Sequence, residues 1–187
     1  ALGQLGEAAY ETYNIQGAAT TGAPFDVELN INFLDAPGFN RRVYSANFLK
    51  TCKRKAQSQL DKHCNGDPNT DVFDYKRAME ATTISEIENA YLCPIYGFED
   101  NIDYYRKMSC GYFLDSIAVP TFIINAGDDP FFDPEYFPSE KGCDGGPDAA
   151  PIKMLRTEHG GHLGYLFHQQ EQTKEIVDDE DEFSASW

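Results

Sequence analysis

The stretch that most constrains the fold is Val119-Pro120-Thr121-Phe122-Ile123-Ile124-Asn125-Ala126, a β-branched apolar run that stops abruptly at Gly127-Asp128-Asp129-Pro130. Such a run, bounded by turn residues, reads as a strand. A second strand, Ile152 to Leu155, runs into Thr157-Glu158-His159-Gly160-Gly161-His162-Leu163-Gly164. Near the start, Leu5 to Ile15 is rich in helix formers, with Leu5, Ala8, Ala9 and Tyr13 on one face, and Gly17 to Ala23 reads as a short buried strand closed by Pro24. A helix followed by a strand is the unit from which parallel sheets are built, so the expected class is α/β with a partial, mostly parallel sheet.

Between the first strand and the second the pattern is helical. Phe39 to Leu60 predicts a long amphipathic helix, with Tyr44, Phe48, Cys52, Ala56 and Leu60 four apart and Lys50, Lys53, Arg54 and Lys55 mostly on the other side. Gly66-Asp67-Pro68 ends it. Two shorter helices follow, the second opening with Thr83-Ile84-Ser85-Glu86, a capping box in which Thr83 and Glu86 satisfy each other's backbone donors. A further helix covers Asn101 to Cys110. Consecutive helices without a strand are the mark of an insertion over a sheet. The expected division is a helix and strand of the core in 1–36, a helical cap in 37–98, the rest of the core with two loops of interest in 99–166, and a polar acidic tail in 167–187.

Charge excludes some functions. Fifteen Lys and Arg against 31 Asp and Glu give a formal net charge of -16, which repels phosphate backbones and anionic headgroups, so no nucleic-acid partner is expected. Asp178-Asp179-Glu180-Asp181-Glu182 reads as a solvated tail; docking to a basic protein surface is the sharper alternative. The five cysteines (Cys52, Cys64, Cys93, Cys110, Cys143) form no C-x-x-C pair, and their odd number fits buried free thiols in a reducing intracellular compartment. No stretch approaches the roughly 18 apolar residues of a bilayer span, and no charged-then-apolar leader opens the chain. No integral membrane span is therefore expected, though a peripheral membrane position is compatible. A start at Ala1 rather than Met leaves room for upstream segments.

Two polar clusters sit just after predicted strand ends, where open parallel sheets keep their active sites. In Gly127-Asp128-Asp129-Pro130, a carboxylate on a tight turn can accept a hydrogen bond from an imidazole N–H, fixing its tautomer and stabilising the imidazolium. The alternative is a turn whose Asp side chains only cap backbone N–H groups. In His159-Gly160-Gly161-His162, paired glycines let the backbone approach closely and leave an imidazole exposed as a general base. Two histidines three apart could share an ion, but the flexible Gly-Gly link and the lack of a third nearby Cys or His argue against it, so no metal is expected. His63 and His168 read as surface residues. No cofactor is implied. An acid after one strand and a base after the next follow the order Ser, Asp, His of α/β-hydrolases.

The motifs resemble the YheT-like branch of the α/β-hydrolases, which includes acyl-ester lipases and medium-chain ester synthases. The resemblance is carried by Ala18-Ala19 with Ala23-Pro24-Phe25-Asp26, by Ile84-Ser85-Glu86-Ile87-Glu88, and by Gly97-Phe98 with Asp103-Tyr104-Tyr105 and Ser109. It is strongest in Pro120-Thr121 to Asp129-Pro130 and Glu158-His159-Gly160-Gly161-His162-Leu163-Gly164, and spans roughly residues 1 to 166. It implies Asp129 as the triad acid, His162 as the triad base, and Asp128, His159, Gly160 and Gly161 in support.

The family's serine stands in a G-x-S-x-G-G elbow just ahead of the first helix. The nearest match here is Ala1-Leu2-Gly3-Gln4, with Ala1 where serine would stand and the Leu2 N–H at an oxyanion position. None of the eight serines sits in a strand-to-helix elbow, and Ser45, Ser58, Ser85 and Ser109 fall on predicted helices. Two readings follow. One is a serine-type hydrolase or acyltransferase acting on small lipid-like carboxylic esters, of which this chain carries the Asp and His. The other is an inactive hydrolase-like subunit, a structural component that docks protein partners through the cap or the acidic tail. The cap aromatics Phe39, Tyr44, Phe48, Phe73, Tyr75 and Tyr91 suit an apolar acyl chain, while aromatics at helical spacing also make ordinary core.

Overall fold

The structure, a computed structural model, describes residues 1–133 and 151–165. The expected acidic tail, Cys143 and His168 lie outside the described residues.

Three strands form a parallel sheet in the order β1 (Ala18–Thr21), β2 (Thr121–Ala126), β3 (Ile152–Thr157). Ala18 pairs with Thr121, and Thr121 with Ile152, so the three strands begin level. Parallel neighbours need a long crossover, and the segment between β1 and β2 supplies one built entirely of helices and turns. In β2, Thr121, Ile123 and Asn125 face one buried side, the alternation of a central strand. β1 differs from the expected buried strand. Three of its four residues are exposed, because it pairs with β2 alone among the described residues and carries only small Ala and Thr side chains.

The expected helix over Leu5 to Ile15 is broken. α1 (Leu2–Leu5) stops at Gly6, which takes a left-handed φ of 54° and donates its N–H to Leu2 O, and α2 (Ala8–Glu11) starts afresh. Docking explains the break. Gly3 lies so close to Phe113 that a side chain there has no room, which pins α1 to the 3-10 segment Cys110–Ser116. Ala9 on α2 then drops into the sheet core with Phe25, Leu114, Ile117, Val119, Ile123 and Ile152.

The long amphipathic helix is present as a π turn (Arg41–Ser45) leading into α4 (Ala46–His63). One helix goes unread in the sequence: α3 (Val27–Asp35), opened by Asp26, whose carboxylate accepts from Leu29 N–H. Its interior Asn30 and Asn32 hide it from propensity. α5 (Tyr75–Glu80), α6 (Ile84–Ile87), α7 (Cys93–Tyr96) and α8 (Asn101–Met108) complete the helical run between β1 and β2. The capping box forms as spelled: Glu86 N–H donates to Thr83 Oγ1 at 3.1 Å, and Thr83 N–H to the Glu86 carboxylate at 3.2 Å. α8 ends two residues earlier than expected, where Ser109 Oγ donates to Tyr105 O and accepts from Val27 N–H.

These helices enclose a core of their own. Ala56, Leu60, Cys64 and Phe73 make one cluster, and Ala78, Ala81, Ile87 and Ala90 a second, bridged by Tyr91. Each buried Leu or Phe contributes about 2 kcal/mol, so the insertion is held by packing of its own as well as by its contacts with the sheet.

Candidate active site

Both loops of interest leave the same edge of the sheet. Gly127 N–H donates to Thr157 O at 2.8 Å, which carries the β2–β3 ladder one residue past Ala126 before the chain turns. The turn folds Asp129 inward, leaving its side chain wholly buried. Its two carboxylate oxygens have separate partners: Oδ1 accepts from Phe131 N–H at 2.9 Å, and Oδ2 lies 2.8 Å from His162 Nδ1. An ionised carboxylate only accepts, so Nδ1 carries the hydrogen and Nε2 is left as the basic nitrogen.

Three neighbours fix the imidazole. Phe131 stands edge-on at 4.5 Å between ring centroids, and Phe132 at 5.8 Å. The third is Gly22 at the end of β1, with a left-handed φ of 60°, where an added Cβ would come within 3.0 Å of His162 O and 3.1 Å of the ring. Gly22 is held there by β2. Its N–H donates to Ile124 O, and the fully buried Asn125 clasps the next residue from both sides, accepting Ala23 N–H at 3.2 Å and donating to Ala23 O at 3.0 Å. The ring is one-third exposed, open enough to meet a reactant.

Asp128 serves the same loop from outside. Its Oδ1 accepts Gly161 N–H at 2.8 Å, and its Oδ2 lies 3.4 Å from His159 Nδ1. The Gly161 N–H, and then His159, hold this carboxyl below the usual carboxylate range. The two histidines thus answer to different carboxylates, since His159 is exposed between Asp128 and Glu158 while His162 faces Asp129. Gly160 has no room for a side chain because the Tyr165 ring packs on it, and Tyr165 OH reaches Ile124 O at 3.3 Å. Gly161 takes a φ of 56°, which glycine adopts without strain.

No family model matches the chain. It is 32% identical over 154 residues to YheT of Escherichia coli (strain K12), an alignment covering 81% of this chain and 42% of that protein. It is 28% identical over 171 residues to medium-chain fatty acid ethyl ester synthase/esterase 2 of Saccharomyces cerevisiae, covering 81% of the chain and 36% of the relative. The chain belongs to the YheT-like α/β-hydrolase family. It is also 25% identical over 130 residues to monoacylglycerol lipase ABHD2 of Homo sapiens, covering 67% and 30%. The parallel sheet with its helices is a partial α/β-hydrolase fold, and the chain spans about two-fifths of the length of YheT.

Leu2 is the first residue of α1, so its N–H has no intrahelical acceptor. It lines a hollow of about 410 Å³ together with Thr21, Gly22 and Ala23. Gly22 is common to that hollow and to the imidazole. Three of the serines have structural partners: Ser45 Oγ donates to Leu34 O, Ser85 Oγ accepts from Asn101, and Ser109 ties α8 to α3. Reading the sequence misses Gly22, Asn125, Phe131 and Phe132. A polar Asn inside an apolar strand was the available signal for Asn125; Gly22 gave none, because its role depends on a residue 140 positions away. No helix among the described residues is long and apolar enough to cross a membrane.

Proposed function

We propose that this chain carries the acid and base of a serine-type hydrolase or acyltransferase acting on carboxylic, lipid-like esters. The contact that carries the reading is His162 Nδ1 to Asp129 Oδ2 at 2.8 Å, made by a carboxylate with no exposed surface. In the proposed mechanism His162 Nε2 takes the proton of a serine hydroxyl as its oxygen attacks the ester carbonyl. Asp129 keeps the ring in the tautomer that leaves Nε2 free and stabilises the imidazolium. The imidazolium then returns the proton to the leaving alkoxide. Water or an alcohol, deprotonated by the same nitrogen, releases the acyl group.

The nucleophile is assigned to a serine ahead of Leu2, with the Leu2 N–H donating to the oxyanion. Asp128, through Gly161 N–H, and His159 beside it steady the loop that carries the base. The names of the relatives, an ester synthase/esterase and a monoacylglycerol lipase, favour ester chemistry. The free thiols Cys52, Cys64, Cys93 and Cys110 favour a reducing compartment.

The test is labelling of the natively purified protein with a fluorophosphonate, followed by intact mass and peptide mapping. The expected result is one adduct on a serine upstream of Leu2, lost in His162→Ala. A folded protein that takes no label would overturn the enzymatic reading in favour of the inactive subunit.

A further inference from the structure

The imidazole is the inner end of a file of aromatic rings. Phe131 meets His162 at 4.5 Å, Tyr44 meets Phe131 at 5.0 Å, Phe48 meets Phe131 at 5.6 Å, and Phe39 meets Tyr44 at 6.1 Å, every pair edge-on. Three of these rings come from one helical stretch, and it is irregular where they leave it. Arg41–Ser45 is a π turn, in which Ala46 N–H reaches back five residues to Arg41 O. A widened turn brings residues five apart onto one face, which is how Phe39 comes to touch Tyr44. The buried Ser45 hydroxyl donates to Leu34 O at 2.7 Å and ties the turn to α3.

The six cap aromatics that the sequence singles out therefore divide. Phe73 is buried, and Tyr75 and Tyr91 pack on it in the helical core, as ordinary core aromatics do. Phe39 and Phe48 remain 69% and 42% exposed. Leaving large rings in water forgoes the stabilisation that burial would give, and exposed rings continuous with a reactive group mark a ligand surface. Its continuity with the imidazole says which ligand. A chain attached to a carbonyl reacting at His162 leaves along the neighbouring surface, and Phe131 is that surface.

We propose that Phe39, Tyr44, Phe48 and Phe131 are the acyl-chain subsite, on which a straight aliphatic chain lies, and that the exposed rings of Phe39 and Phe48 set a preference for long over short acyl groups. The proposal rests on the ester-cleaving reading above. Phe131 has two duties in it, because the residue that touches the acyl chain also donates its N–H to Asp129 Oδ1. Filling the subsite then presses on the ring that orients the base.

Phe39→Ser and Phe48→Ser, singly and together in the full-length protein, test this, since both rings are exposed and their loss leaves the helical core intact. Two measurements are made in parallel: kcat/KM for p-nitrophenyl acetate, octanoate and dodecanoate, and calorimetric binding of dodecanoate. The dodecanoate-to-acetate ratio of kcat/KM is expected to fall about tenfold in the double variant, equal to the loss of roughly 50 Å² of apolar contact. Dodecanoate binding should weaken by a similar factor. An unchanged ratio overturns the subsite. If the unsubstituted protein cleaves no ester, the functional reading fails and binding alone decides: dodecanoate held by the unsubstituted protein and released by the double variant keeps the subsite, while no binding, or binding that the substitutions leave untouched, overturns it.

Discussion

Among the described residues two carboxylates are buried, Asp129 after β2 and Glu88 in the helical insertion, and they are surrounded in opposite ways. Asp129 has an N–H donor on each oxygen, from Phe131 and from the His162 ring. Glu88 sits in the π turn Glu88–Leu92, where Tyr105 OH donates to its Oε2 at 2.5 Å. Around it Asn101 donates to Ser85 Oγ and Asn89 Oδ1, and Asp35 accepts Ile84 and Ser85 N–H, so the neighbourhood spends its donors on other acceptors. Burial accordingly pushes Glu88 up to about 7, against the Tyr105 hydrogen bond and with the charge of Asp35 adding to the rise. For Glu88 the desolvation of burial outweighs the one donor aimed at it.

The largest effect should come from Asp129→Asn. Replacing the acceptor oxygen by an amide removes the force that holds the Nδ1–H tautomer, and kcat for the proposed ester cleavage should drop about 10³- to 10⁴-fold with the fold intact. Steady-state kinetics checks it; a loss below tenfold would show that the buried anion is not orienting the base.

Glu88 sharpens the other side of the contrast through pH. The folded protein keeps its proton up to about 7 while the unfolded chain gives it up near 4.5, so the folded state binds more protons between those values and stability falls as pH rises. The stability lost through this group is about 3 kcal/mol, none of it below pH 4.5 and all of it above pH 7. Denaturant unfolding of the protein and of Glu88→Gln across pH 4–8 isolates it. The variant should lack this slope and be the more stable of the two at pH 8; parallel curves would show Glu88 ionised in the fold.

Gly22→Ala probes the site without touching its charges. The new methyl meets His162 O and its ring and is strained at a φ of 60°, so kcat should fall about 10²-fold while circular dichroism stays unchanged. Full activity would mean that the ring has room to shift. In the insertion, Thr83→Ala removes one half of the capping box and should cost about 1 kcal/mol in urea unfolding, with ester cleavage unaffected.

Much of this was legible in the chain. The β-branched run of β2, its stop at Gly127, the strand before His159 and the capping box are local signals, set by propensity and by hydrogen bonds within a few residues. The family resemblance also lies in contiguous motifs, which the alignment with YheT bears out. Where local signals misled, contacts distant in sequence had decided: Gly6 breaks the first helix where α1 docks on Phe113, and β1 is exposed because it pairs with β2 alone among the described residues. The helix over Phe39 to Leu60 could be read, but its stripe does two jobs. Ala56 and Leu60 are core, while Tyr44 and Phe48 reach Phe131, and the same four-residue spacing serves both.

The sequence by itself determined that a carboxylate and an imidazole would each follow a strand of one parallel sheet. The family resemblance already pointed to Asp129 and His162, whereas only the tertiary structure decided that Gly22 and Asn125 make the space for that ring, and that three of the six cap aromatics singled out in the sequence turn towards it. Chain-local chemistry chooses which groups are available, whereas distances between residues far apart in sequence depend on strand register and on how side chains exclude one another, and neither is written in any single segment.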